Sequence, residues 1–282
     1  MALADPNLTL FFAEALRAAK PNAHVDDLGY ATFEDSLIEG ADPELVRRAF
    51  PSADGRGRES RQPRLYAANS PLMLAVNVFA PWLKSLESLP VLDMTDFRDM
   101  RFEVRLPSIE GAPAGWLPLL LVAPGGVVAV ESECTEYLSG HPVEFPAAME
   151  DFWQDRERNG WRREMLALKE GLHGFAHLDA ARLIKQYMGL RLLLEAAGGE
   201  RGREIPATLL YLYWEPLNAP RFDEFETHRH EVAAFSEAVA QSDIAFRAMN
   251  YLDLWAAWSR GKAPPWLAMH LARLHRHYSF RI

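Results

Sequence analysis

Cysteine is nearly absent from this chain of 282 residues, which holds a single one, Cys134. An internal disulfide is therefore impossible, and the composition suits a reducing compartment. Long apolar runs are also absent, since no stretch reaches the roughly 20 apolar residues that a membrane helix needs. Asp5 comes early and no basic segment precedes an apolar run, so we expect no signal peptide. These absences predict a cytoplasmic protein without a membrane segment.

Positive charge is in short supply. The chain has 30 Lys and Arg against 39 Asp and Glu, for a formal net charge of -9. Its average field repels nucleic acid, so DNA or RNA would have to bind through a local basic surface. Residues 51–64 form one basic segment, which we predict to be an exposed loop. Solvated charge explains such a run more often than phosphate contact does. Its arginines are Arg56, Arg58, Arg61 and Arg64.

Size and composition allow a sizeable core. With 49% hydrophobic residues, the chain can form one large domain or two small ones. We predict a helical N-terminal extension over residues 1–65, which includes the basic loop. The main domain is then expected over residues 66–282.

Hydrophobic patterning predicts both strands and helices. The turn residues 123–126 should join the second and third strands into a hairpin. A crossover of strand, helix and strand beside a hairpin predicts an α/β fold with a mixed β-sheet flanked by helices. The predicted strands are 101–106, 116–122, 127–134, 207–214 and 244–251. The predicted helices are 8–20, 43–49, 71–83, 147–170 with a break at Gly160, 178–197, 223–241, 252–259 and 266–277.

The third predicted strand ends in carboxylates. A valine-rich run leads into Glu131 and Glu133, which project from the same face because side chains alternate along a strand. Two such charges repel unless a cation or a proton lies between them. The pattern would suit a divalent metal ion in a cleft. An exposed edge strand is the alternative.

The histidine pairs and the aromatic C-terminal stretch have structural interpretations, although such residues bind metal ions or nucleic-acid bases in other proteins. His228 and His230 are two residues apart, as are His275 and His277, and such pairs face apart on a helix. We interpret them as surface histidines. The aromatic and basic stretch 255–281 is more typical of core closure than of base stacking.

Three segments in order, residues 69–81, 130–137 and 178–185, resemble the PD-(D/E)XK nuclease superfamily, which has the restriction-endonuclease-like fold. The resemblance covers about residues 66–280 and is closest to a bacterial branch of uncharacterised nuclease-like proteins with a degraded motif. It implies metal-dependent phosphodiester hydrolysis with Mg²⁺ or Mn²⁺. Glu131 matches the motif glutamate. Glu131, Glu133 and Glu103 would then be metal ligands.

Two positions depart from the superfamily pattern. By hairpin register the motif aspartate falls near Pro118, and the motif lysine falls at Glu133. Proline cannot bind a metal ion, so the resemblance implies an impaired or inactive site. Arg182, Lys185 and Gln186 share a helix face, and Lys185 would supply the missing positive charge for water or phosphate. A solvated helix face is the alternative for these side chains.

Three functions remain open at this point. The first is a nuclease-like protein in which Glu131, Glu133 and Lys185 carry hydrolysis of DNA or RNA. The second is a catalytically inactive module that binds nucleic acid, a protein partner or a second copy of the chain. The third is an unrelated α/β protein in which the glutamates are incidental.

Overall fold

The fold is described from a computed structural model. It covers residues 32–50, 67, 69–109, 114–153, 159–198, 204–261 and 264–282, with isolated residues between 8 and 30. The predicted basic loop at 51–64 and the predicted domain boundary at residue 65 lie outside these residues. Within the predicted first helix, 8–20, the residues that are described are helical.

One sheet of five strands organises the molecule, in the order β3-β4-β5-β6-β7. The first three strands run antiparallel, and β6 and β7 continue parallel to β5. The predicted mixed sheet and the β4–β5 hairpin are confirmed. The strands are β3 (Asp99–Arg105), β4 (Trp116–Ala123), β5 (Gly126–Glu133), β6 (Ala207–Tyr213) and β7 (Ile244–Asn250), and a separate pair joins β1 (Val25–Asp26) to β2 (Gly29–Tyr30).

Helices cover both faces of this sheet, as the patterning predicts. No helix within the described ranges combines the length and apolar character needed to cross a bilayer. The helices are α1 (Phe33–Ser36), α2 (Pro43–Arg48), α3 (Pro71–Phe79), α4 (Gly160–Lys169), α5 (Ala180–Gly198), α6 (Asp223–Ala238), α7 (Tyr251–Arg260) and α8 (Leu267–Tyr278). Short 3₁₀ turns lie at Ala80–Lys84, Leu86–Ser88, Glu136–Leu138, Ala147–Met149, Asp151–Trp153 and Ala219–Arg221.

The predicted helix over 147–170 is wrong in its first half. Described residues there form two 3₁₀ turns, and α4 begins only at Gly160. Asn159 caps this helix by accepting a hydrogen bond from the Trp161 amide at 2.9 Å. Gly160 also has no room for a side chain, because a Cβ there would lie 2.8 Å from the Ala238 carbonyl oxygen. The glycine therefore marks a helix start packed against α6, rather than a break within a longer helix.

Two hydrophobic cores lie on opposite faces of the sheet. Helices α1, α2, α3, α7 and α8 cover the face that carries Val128 and Val130 of β5. Helices α4, α5 and α6 cover the face that carries Val127 and Ala129. Because side chains alternate, Glu131 and Glu133 belong to the second face and point toward the α5 layer.

A distortion in β3 and β4 lies beside the carboxylates. Glu103 has φ of +51°, which is unfavourable for a residue with a Cβ. Phe102 packs in the first core and Val104 in the second, although a regular strand would put both on one face. Pairing of β3 with β4 skips the Glu103 position, which lies opposite Pro118, a residue without an amide donor. At the proline and the left-handed residue, the side chains of β3 change from one alternation between the two faces of the sheet to the opposite one.

Asn77 ties the N-terminal helices to the rest of the first core. Its Oδ1 accepts a hydrogen bond from the Ile38 amide at 2.7 Å. Its Nδ2 donates to the Ser36 carbonyl oxygen at 3.0 Å and to the Tyr278 hydroxyl at 2.9 Å. Phe33 and other residues of this segment pack in the same core as the sheet. The residues between Phe33 and Phe50 therefore pack as part of the first core.

Candidate functional site

The candidate site lies where β5 ends against the start of α5. Glu131 and Glu133 lie on the same face of β5, as predicted, and are 0% and 2% exposed. Between them Ser132 faces the opposite layer, where its hydroxyl donates to the Pro71 carbonyl oxygen at 2.7 Å and lies 2.6 Å from the Tyr251 hydroxyl. The strand end is thus held from both sides. The predicted alternative of an exposed edge strand is wrong.

Arg182 of α5 joins the two carboxylates. Its Nη2 contacts Glu131 Oε1, and its Nη1 donates to Glu133 Oε1 at 3.0 Å. One guanidinium therefore bridges both side chains, in the place where a cation was expected. The Arg182 side chain is 36% exposed, whereas the side chains of Glu131 and Glu133 are 1% and 3% exposed. Of the three side chains, only that of Arg182 is partly exposed.

Gln186, one helical turn after Arg182, completes the contacts of Glu131. Its Nε2 donates to Glu131 Oε2 and to the Trp116 carbonyl oxygen, the latter at 3.0 Å. Arg182 and Gln186 are four residues apart, so both reach the same strip of the sheet. Together they occupy both oxygens of Glu131. The four-residue spacing of Arg182 and Gln186 can be read from the sequence, but their contact with Glu131 cannot.

The start of α5 is itself fixed by carboxylates. Asp179 Oδ1 accepts a hydrogen bond from the Arg182 amide at 2.9 Å, which caps the helix. Glu231 of α6 accepts hydrogen bonds from the amides of Ala176, His177 and Leu178 just before the helix. Glu231 carried no predicted role, because its partners are backbone groups more than 50 residues away. These contacts fix the position of the first turn of α5, from which the Arg182 side chain extends to β5.

Burial and charge oppose each other at these groups. Burial raises the pKa of Glu131 above its ordinary value, and the Arg182 guanidinium works in the other direction. Burial also raises the pKa of Glu133 well above its ordinary value, with the same opposition from Arg182. For Arg182, burial alone would lower the pKa, but Glu131 and Glu133 outweigh it and raise the pKa. The guanidinium is therefore charged at every ordinary pH. Its charge is the main influence that favours the ionised form of Glu131 and of Glu133.

Two other predicted site residues occupy different places. Lys185 has its Nζ 5.8 Å from the centre of the Phe145 ring, and it forms no ion pair with Glu131 or Glu133 in the described structure. Glu103 lies on β3, in the row that continues through Pro118 toward Glu131. That row spans two interstrand spacings of about 4.8 Å each. The paired residues Leu119 and Val130 put Pro118 opposite Glu131 in the continued register of the hairpin.

The oxygen ligands expected for Mg²⁺ do not converge here. Across the part of the chain that is described, no group of three or more His, Cys, Asp or Glu side chains is placed to hold a metal ion. Mg²⁺ requires near-octahedral oxygen ligands, and both oxygens of Glu131 contact nitrogen donors instead. As arranged, these residues do not fit the ion. That Glu103, Glu131 and Glu133 bind a metal ion therefore stays a prediction.

A buried tyrosine–histidine pair lies next to the cluster. Tyr211 of β6 is paired in register with Glu131, and its hydroxyl lies 2.8 Å from His228 Nε2. The His228 ring stacks on the Tyr137 ring with centroids 4.1 Å apart. Burial lowers the pKa of His228 to about 3, so the ring is neutral. The prediction of surface histidines is wrong for His228, which is 0% exposed, and for His277, which is also buried.

Comparison with known proteins gives no further guide to this site. The chain has no significant match among family models, curated proteins or solved structures. The contacts of the side chains themselves therefore carry the functional argument.

Proposed function

We propose that the chain is a nuclease-like protein of the PD-(D/E)XK type in which metal-dependent phosphodiester hydrolysis is impaired. Support for the type comes from the order of elements. Helix α3 precedes an antiparallel β3-β4-β5 meander, and α5 leads into β6 parallel to β5. The resemblance implies this order, with the motif glutamate on the third strand. Glu131 stands on that strand, near its C-terminal end.

Impairment is carried by one observation, the bridge from Arg182 to Glu131 and Glu133. In a working site of this type, carboxylates hold a divalent cation that polarises the phosphate and activates water. Here the positive charge comes instead from the protein, on the Arg182 guanidinium, which does not deprotonate. A guanidinium provides hydrogen bonds and charge, but it neither binds nor activates a water as a metal ion does. Pro118, aligned with Glu131, removes a second carboxylate.

Metal titration and cleavage assays test this proposal directly. We expect no saturable Mg²⁺ or Mn²⁺ binding by calorimetry, and no cleavage of plasmid or single-stranded DNA, for the wild-type chain. Glu131→Ala should behave the same way. Metal-dependent cleavage by the wild type that Glu131→Ala abolishes would refute the impairment.

A restored site tests the nuclease type. The triple variant Pro118→Asp, Glu133→Lys, Arg182→Ala places the motif side chains in the proposed register and removes the bridging cation. We expect weak cleavage that depends on Mg²⁺ and disappears when Glu131→Ala is added. A folded triple variant that neither binds Mg²⁺ nor cleaves would count against the proposed alignment.

The second candidate function is binding of single-stranded nucleic acid without cleavage. It is favoured by Trp116, which is 36% exposed and pairs across the sheet with the exposed Arg105 of β3. Exposed aromatic rings next to arginine stack bases in single strands. Fluorescence anisotropy with a labelled oligonucleotide at low salt should show binding that Trp116→Ala weakens. Met269→Ala, which removes a 61% exposed side chain of α8, is the control. Equal affinity in all three proteins would exclude the tryptophan as a contact.

A further inference from the structure

A cavity lies between α4, the segment that follows it and α6, away from the cluster of Glu131, Glu133 and Arg182. Its volume is about 420 Å³, within the range of small-molecule sites. Neither Glu131, Glu133 nor Arg182 lines it. Its walls carry acidic, imidazole and aromatic groups, with small side chains of α6 between them. The residues used below are Glu164, His173, Phe175, His230, Glu231 and Ala234.

Glu164 is the unusual group in this wall. It is only 5% exposed, and its Oε1 is buried without a hydrogen bond. The His173 ring lies beside it, with Nε2 3.3 Å from that oxygen and a side chain that is 42% exposed. Burial raises the pKa of Glu164, and His173 works in the other direction. A buried carboxylate whose oxygen has only this longer contact is costly unless a further donor reaches it.

The remaining walls favour a positive ligand with an apolar body. Glu231 adds a second carboxylate, although its oxygens already accept hydrogen bonds from backbone amides. Phe175 presents an aromatic ring and packs edge-on against Phe235 with centroids 6.2 Å apart. Ala234 lies on the cavity face of α6, one turn after His230, and its single methyl group leaves space. Aromatic faces and carboxylates both attract ammonium groups.

We propose that this cavity binds a small organic amine, with the protonated nitrogen at Glu164 and the apolar body against Phe175 and Ala234. A metal ion is the poorer fit, because no cluster of three ligating side chains occurs here or elsewhere among the described residues. An anion would meet two carboxylates and is disfavoured. The ligand class is therefore set by charge and by the volume of the cavity.

Phenethylammonium is a suitable probe, with phenethyl alcohol and phenylpropionate as neutral and anionic molecules of similar size. We expect saturable binding of the amine by titration calorimetry or NMR at neutral pH, at concentrations below about 10 mM. The alcohol and the acid should bind at least about tenfold more weakly, since a charged hydrogen bond is worth that much.

Two variants locate the binding. Glu164→Gln keeps the shape and removes the charge, so affinity for the amine should fall at least about tenfold. Ala234→Leu fills the cavity and should abolish binding of the amine. Glu170→Gln, at an exposed position just after α4, is the matched control and should leave affinity unchanged. Absence of saturable amine binding, or equal affinity in wild type and Glu164→Gln, would overturn the proposal.

Discussion

Replacing Arg182 by glutamine should destabilise the fold in a way that depends on pH. The change removes the only side chain that bridges Glu131 and Glu133 within the described structure. At 3.0 Å, the pair of Arg182 with Glu133 contributes about 5 kcal/mol of Coulomb attraction at an effective dielectric constant of about 20. Desolvation of the charges offsets much of this. Removing one partner of a fully buried pair costs about 3–5 kcal/mol. Because the Arg182 side chain is 36% exposed, we expect about 2–3 kcal/mol near neutral pH.

The pH dependence follows from the carboxylates. Burial already raises the pKa of Glu131 and of Glu133, and loss of Arg182 removes the main opposing influence. In the variant, the folded chain therefore keeps protons that the unfolded chain releases above about pH 4.3. Folding stability then falls as pH rises, because the folded state binds more protons than the unfolded one. The difference from wild type should be small near pH 4.5 and largest near pH 8.

Urea denaturation at these two pH values measures the effect. Arg276→Gln, at an exposed position on α8, is the matched control and should stay within about 0.5 kcal/mol of wild type. Adding Glu133→Gln to Arg182→Gln should recover part of the loss, since one buried charge is then removed. An Arg182→Gln variant that matches wild type at pH 8, or that loses the same stability at both pH values, would refute this role of the bridge.

Three further predictions concern the rest of the fold. Asn77→Ala should cost about 2–4 kcal/mol in urea denaturation, because three buried hydrogen bonds lose their partner; a loss below about 0.5 kcal/mol would contradict this. Gly189→Ala should cost about 1–3 kcal/mol, because a Cβ there would lie 2.7 Å from Leu106 Cβ, whereas Gly125→Ala, with nothing within 4 Å, should be nearly neutral. His228, with its pKa lowered to about 3, should make wild type lose stability as pH falls below about 6.5, and His228→Gln should flatten that slope in denaturation at several pH values. An unchanged slope would argue against a buried neutral ring.

Local pattern was enough to predict the sheet and its helices. Val127 to Val130 form a buried strand because β-branched residues suit a strand covered on both faces. The turn at 124–125 sets the hairpin, and alternation puts Glu131 and Glu133 on one face whatever the surroundings. The helix predicted over 147–170 failed at its described first residues, 147–153, which form two short 3₁₀ turns instead.

The environment of the carboxylates was decided by the tertiary structure. Arg182 and Lys185 are separated by about 60° around the helix, so a small rotation of α5 determines which of them reaches β5. That rotation depends on packing and on Glu231, which holds the start of α5 from a distant part of the chain, as well as on the local cap by Asp179. Burial of His228 likewise depends on Tyr137 and Tyr211.

Periodicity along the chain determines which side chains share a face, because it follows from backbone geometry alone. What each face meets depends on elements brought together from far apart in the sequence. The sequence by itself therefore placed two glutamates side by side. Only the tertiary structure gave them an arginine and removed them from water.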